Sequence, residues 1–165
     1  MATKRSSGIL LYRDGDDGTT EFLLIHPGGP YWSKRDEGAW SIPKGGIEAE
    51  EDSRTAALRE LDEELGPAAP GLDPDELVDL GSIRQRAGKI VEAWAAPGDF
   101  DPTALDSNTF EMEWPPRSGR EVEFPEVDEA GWFGLEAARR KLIPAQGEFL
   151  DRLLEHLGRP AADQR

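Results

Sequence analysis

Gly45-Gly46-Ile47-Glu48-Ala49-Glu50-Glu51-Asp52-Ser53-Arg54-Thr55-Ala56-Ala57-Leu58-Arg59-Glu60-Leu61-Asp62-Glu63-Glu64-Leu65-Gly66-Pro67 is the stretch that decides the fold. Its periodicity predicts a helix over Ser53–Leu65. Asp52 is a suitable N-cap, and Glu50 and Glu51 lie at the positive end of the helix dipole. Ala57, Leu58, Leu61 and Leu65 recur as one apolar stripe. Gly66 offers a left-handed C-terminal position and Pro67 stops the helix. At about 100° per residue, with Glu60 at zero, Glu64 falls at roughly +40° and Glu63 at roughly −60°. The apolar stripe covers roughly +60° to +160° on the same scale. Three carboxylates therefore share an arc that borders the core face instead of opposing it.

That arc is unfavourable by itself. Like charges at i,i+4 cost about 0.2–0.5 kcal/mol per pair. Carboxylates in the C-terminal half of a helix cost about 0.3–1 kcal/mol each. A divalent cation reverses both penalties, and hard cations such as Mg²⁺ choose carboxylate oxygens. A glutamate-rich chain also clusters such residues on a solvated face, so the cluster alone leaves both readings open.

Outward from the helix, residues 6–13 and 20–26 read as strands joined at Asp14-Gly15-Asp16-Asp17-Gly18. A short segment at 39–43 follows a Gly/Pro loop. Residues 76–85 and 89–96 read as a hairpin turning at Ala87-Gly88, and 109–114 and 129–133 as further strands. Helices are expected at 135–142 and 146–157 with Pro144 between them, then a frayed tail at 158–165. Residues 100–125 read either as a specificity loop or as an irregular surface connection. Strands and helices interleave as in an α/β fold, read as one domain over 1–165.

The chain has 37% hydrophobic and 32% charged residues, a globular profile. No apolar run reaches the roughly 18 residues of a membrane span, and the N-terminal apolar stretch is too short for a signal core. With no cysteine, thiolate metal sites, cysteine nucleophiles and disulfides are excluded, and a cytoplasmic location is the default expectation. The formal charge of −15 would repel long nucleic acids, and would repel a small phosphorylated ligand unless cations intervene. Homodimerisation is left open.

The residues around the acidic arc carry a resemblance. The Nudix box is G-x5-E-x7-R-E-U-x-E-E-x-G-U, with U a bulky apolar residue. Gly45, Glu51, Arg59, Glu60, Leu61, Glu63, Glu64 and Gly66 supply it in register, and Pro67 departs at the last position. On these residues the chain resembles the Nudix hydrolases. The resemblance implies an α/β/α sandwich with a central mixed β-sheet and a loop–helix–loop at the active site. It implies that Glu60, Glu63 and Glu64 bind Mg²⁺ (with Mn²⁺ as a substitute), joined by the Lys44 backbone carbonyl. Arg59 would pair with Glu51 architecturally. Glu126, six residues before Trp132, matches a late-loop glutamate of many members, with Glu123 a weaker candidate. The general base would be Glu60 or Glu126, and Glu63 joins them among the catalytic candidates.

Trp40-Ser41-Ile42-Pro43-Lys44-Gly45 is similar to the W-x-x-P-K-G segment of members acting on dinucleoside polyphosphates and oxidised nucleoside triphosphates. Lys44 is therefore read as a phosphate contact, with a solvent-facing lysine as the alternative. Ser82, Arg84 and Arg86 alternate along one strand face with Lys89 beyond the turn, a patch for distal phosphates or simply a solvated face. Tyr31 and Trp32 could stack a base or pack into the loop. Trp94, Trp114 and Trp132 are expected in the core, and His26 and His156 are read as structural. The competing activities are an ADP-ribose or nucleoside-diphosphate-sugar pyrophosphatase and a non-catalytic nucleotide sensor. The Nudix-fold isopentenyl diphosphate isomerases use a cysteine, which is absent here.

Overall fold

Strand β1 (Arg5–Asp14) turns Leu10 to one side and Ile9 and Leu11 to the other, and each side meets its own hydrophobic core. Strand β2 (Thr20–Pro27) repeats this, with Phe22 and Leu24 on the first side and Leu23 and Ile25 on the second. A strand buried on both faces reads as a continuous apolar run, as these do. The computed structural model describes residues 4–159.

The remaining strands are β3 (Lys44–Gly46), β4 (Val78–Arg84), β5 (Ile90–Pro97), β6 (Thr109–Glu113), β7 (Glu121–Pro125) and β8 (Val127–Gly134). The main sheet runs β4-β5-β1-β2-β8, with β3 paired to β1. Strands β1 and β5 are parallel and the other pairs antiparallel, so the sheet is mixed. Helix α1 (Ser53–Leu65) covers one face through Ala57, Leu61 and Leu65. Helices α2 (Leu135–Lys141) and α3 (Gly147–Leu157) cover the other through Ala138, Phe149, Leu150 and Leu153. This is the α/β/α sandwich expected from the sequence.

Several expectations need correction. Residues 100–125 are no irregular connection, because β6 and β7 form a separate two-stranded sheet. Phe110, Met112, Val122 and Phe124 alternate there with exposed glutamates, a period-2 pattern that Glu121–Pro125 carries over only five residues. Trp94 and Trp132 are half-buried and pack against the second core as expected, whereas Trp114 is half-buried outside both cores and Trp40, only 4% exposed, lies within the first. The 39–43 segment makes single bridges, Ser41 with Ile25 and Trp40 with Leu142. Gly158 and Arg159 are not frayed, since Arg159 bonds the Leu154 carbonyl at 2.8 Å and Asp14 at 2.9 Å. The rest of the expected tail lies outside the described residues. Among those residues no helix is long and apolar enough to cross a membrane.

Candidate active site

Helix α1 begins where the sequence places it: Asp52 Oδ1 accepts the Thr55 N–H at 2.7 Å. Its other end departs from expectation. Gly66 has φ 92° and ψ −167°, outside the left-handed helical region but still barred to side chains. A Cβ there would also sit 2.4 Å from the Asp106 carbonyl oxygen, so the loop at 106–108 passes tightly beneath the helix end. The Asp106 N–H donates to the Leu65 carbonyl at 3.0 Å, and the Asn108 N–H to the Glu63 carbonyl at 2.9 Å. Two carbonyls left open at a helix C-terminus are thereby satisfied.

That loop carries a chain of contacts to the β7–β8 junction. The Glu126 N–H donates to the Asn108 carbonyl at 2.8 Å, and the Gly28 N–H to the Glu126 carbonyl at 2.9 Å. Ser107 Oγ bonds both backbone groups of Val127 at 3.1 Å. Glu126 is thus pinned against the C-terminal half of α1 and the start of the 28–38 loop. The family resemblance pointed to Glu126 as a candidate, but nothing in the sequence signalled the 106–108 anchor.

Arg59 organises the front of the site. It grips Glu51 with two hydrogen bonds of 2.8 and 2.9 Å, and reaches the Gly46 carbonyl at 2.9 Å. Its Nη1 also donates to Glu60 at 2.8 Å and Glu63 at 3.1 Å. The guanidinium, with the Glu48 N–H, holds the Glu51 carboxyl down at about 2. A bidentate pair of this kind fixes geometry as well as charge. Arg59 therefore clamps the loop to the helix, as the resemblance implied.

Deeper in, charges are less well answered. Glu60 is buried, and a Cβ on Gly45 would lie 2.0 Å from its Oε1, so only glycine lets β3 approach it. Burial raises the Glu60 carboxyl above its ordinary value, Arg59 opposes this, and the charges of Glu63 and Glu126 reinforce it. Burial pushes Glu64 up to about 8, against the 3.0 Å hydrogen bond from the Lys44 N–H and with help from Glu60 and Glu126. The Lys44 ammonium is pulled down by desolvation, which Glu64 and Glu60 counter and the charge of Lys89 reinforces. Glu60, Glu64, Glu126, Lys44 and Lys89 thus share one electrostatic neighbourhood.

Among the described residues no three His, Asp or Glu side chains enclose an ion as they stand. Glu60 and Glu63 are turned toward Arg59, and Glu64 toward the Lys44 N–H. The donor chemistry nonetheless fits a hard divalent cation: glutamate oxygens, those of Glu60 and Glu64 with raised proton affinity, beside a β3 backbone carbonyl.

Other expected site residues are dispersed. Glu123 accepts the Thr109 hydroxyl at 2.8 Å within the β6–β7 hairpin and has no contact with the acidic cluster. Arg86 lies in the turn rather than on β4, and Arg84 bonds the Gly88 carbonyl at 3.3 Å, capping that same turn. Tyr31 is 61% exposed and meets Trp114 edge-on at 5.4 Å, while Trp32 lies 5.7 Å from the Arg35 guanidinium. His26 has partners that the sequence did not reveal, Asp128 at Nδ1 (2.7 Å) and the Arg35 carbonyl at Nε2 (2.6 Å). Burial opposes its charged form, but both acceptors outweigh that and raise its pKa. His156 is exposed near the end of α3.

A clamped loop, an acidic helix and a sandwich of this order define a Nudix domain. Residues 2–153 match the NUDIX domain family, and the chain belongs to it. An RNA pyrophosphohydrolase of Acidiphilium cryptum is 29% identical over 132 residues, covering 73% of this chain and 72% of that protein. Among solved structures, a C. elegans Ap4A hydrolase binary complex has a TM-score of 0.61 at 23% identity, covering 93% of this chain and 98% of that one. The NUDIX domain of Shewanella oneidensis NrtR, complexed with ADP ribose, has a TM-score of 0.64 at 16% identity, covering 95% and 90%. At these identities the structural likeness concerns the fold.

Proposed function

We propose that this enzyme hydrolyses a diphosphate linkage in a nucleoside triphosphate or dinucleoside polyphosphate, with Mg²⁺ held by Glu60, Glu63, Glu64 and the Lys44 carbonyl. The observation that carries the reading is the neighbourhood of Glu60, Glu64 and Glu126, three carboxylates whose charges act on one another beside Lys44. Such a cluster persists only if a cation or protons answer it. When bound, Mg²⁺ neutralises phosphate charge and lowers the pKa of a coordinated water.

The chain's own residues divide the remaining work. Glu126 is exposed, and among the described residues its carboxylate accepts no hydrogen bond, whereas Glu60 is engaged by Arg59. Glu126 is therefore the better general base: it is free to take the proton of the attacking water and release it to solvent. Lys44 and Lys89 receive substrate phosphates that the −15 charge would otherwise repel. Arg84 at the end of β4 and Arg86 in the turn contribute long-range positive charge. Tyr31 stacks a base, with Trp114 supporting its ring edge and Trp32 beside it. The net charge argues against engagement of long nucleic acids, so the name of the bacterial relative is not carried over with its polymer.

The test is release of phosphate or pyrophosphate, with and without Mg²⁺, from a panel of nucleoside triphosphates, dinucleoside polyphosphates, ADP-ribose and a 5′-triphosphorylated oligonucleotide. Mg²⁺-dependent turnover of a triphosphate or polyphosphate is expected. Preference for ADP-ribose would overturn the substrate class, and binding without turnover would favour a sensor.

A further inference from the structure

We infer that Gln146 is a positioning residue for the phosphate site, its buried carboxamide holding the Lys44 strand and the Lys89 turn at a fixed separation. The inference rests on the proposed reading of Lys44 and Lys89 as phosphate contacts. Gln146 is fully buried at the one-turn segment preceding α3. Its Oε1 accepts the Ile42 N–H at 3.0 Å, two residues before Lys44. Its Nε2 donates to Ser41 Oγ at 3.1 Å and to Gln85 Oε1 at 2.8 Å. Gln85 opens the basic turn, whose ends are closed by the Gln85 N–H donating to the Lys89 carbonyl at 2.7 Å.

The physics favours positioning over packing. Burying an amide is unfavourable unless its hydrogen bonds are made, and a core position is filled as well by leucine. Here three of the four hydrogen bonds a carboxamide can make are satisfied, one to each of three separate groups. Lys44 and Lys89 repel each other, so nothing in their own electrostatics keeps them close enough to grip one polyphosphate. A rigid, directional link from the far side of both segments supplies that separation. Errors of about 1 Å in such placement can cost on the order of 10²-fold in rate.

Gln85→Met removes only the outer bond at a half-buried position, and Gln146→Leu removes all three. In the full chain with Mg²⁺, Gln85→Met is expected to raise KM for the best triphosphate about three- to tenfold with kcat within about twofold. The matching diphosphate, which lacks the distal phosphate, is expected to suffer less. Gln146→Leu is expected to raise KM further and to lower kcat. Lys44→Met and Lys89→Met provide the reference. If they raise KM while Gln85→Met and Gln146→Leu keep wild-type KM and phosphate preference, Gln146 only packs and the inference fails. If the lysine variants are themselves silent, the phosphate reading fails first and takes the inference with it. Calorimetric Kd for an α,β-methylene triphosphate makes the same comparison without turnover. A wild-type Kd in both glutamine variants would overturn the inference.

Discussion

The loop before α1 and the last turn of α1 each hold a glutamate of the same box, in opposite electrostatic conditions. Glu51 lies within a bidentate grip of Arg59 and is held at about 2. Glu64 is half-buried between β3 and α1, receives one backbone N–H, faces two further carboxylates, and is pushed up to about 8. The difference separates structural charge from functional charge. A carboxylate whose partner is part of the fold strengthens the fold. One whose partner is missing from the fold weakens it until a proton or cation arrives.

The two residues have opposite pH linkage. Glu51, depressed when folded, contributes stability above its ordinary value of 4.5 that is lost as pH falls toward about 2. Glu64, raised when folded, favours the folded state below 4.5, and that contribution is lost as pH rises through about 8.

The largest effect should come from Glu64→Gln. We expect kcat to fall on the order of 10²–10³-fold at saturating Mg²⁺. Stability in chelator at pH 8.5 should rise on the order of 2 kcal/mol by denaturant titration. A variant both inactive and less stable at that pH would break the comparison. Next, Glu126→Gln should lower kcat about 100-fold while leaving Mg²⁺ affinity nearly unchanged. A matching loss of Mg²⁺ affinity would move Glu126 from base to ligand. Glu51→Gln should lower Tm at pH 7, lose that deficit by pH 2, and reduce kcat less than about tenfold. The smallest change is expected for Tyr31→Ala, a rise in KM of about threefold with kcat unchanged. The same rise on inorganic triphosphate, which has no base, would remove Tyr31 from base recognition.

Legibility in the sequence followed the range of the interactions. The bounds of α1 and the first two strands rest on local spacing and could be read directly, whereas the Arg59–Glu51 pairing came only with the resemblance of a 23-residue box. Glu126 was reachable only by its distance from Trp132. The hairpin partner β7 was missed because five alternating residues inside a proline-bearing acidic segment give little periodicity. Trp114 was misplaced for a related reason. A strand reading put it in the core, whereas β6 ends at Glu113 and the ring turns to Tyr31. Partners such as Asp128 for His26, or Gln85 for Gln146, lie far apart in the chain and leave no pattern in one sequence.

The amides of Asp106 and Asn108 supply hydrogen bonds to two carbonyls of the last turn of α1. The base of the β6–β7 hairpin consequently cannot lift away without stripping the carbonyls of Glu63 and Leu65. Loosening the wall against which Tyr31 rests also frays the turn that carries Glu63 and Glu64. Hairpin base and acidic turn therefore belong to one cooperative unit of local unfolding, and a ligand that orders either one also reduces the opening of the other.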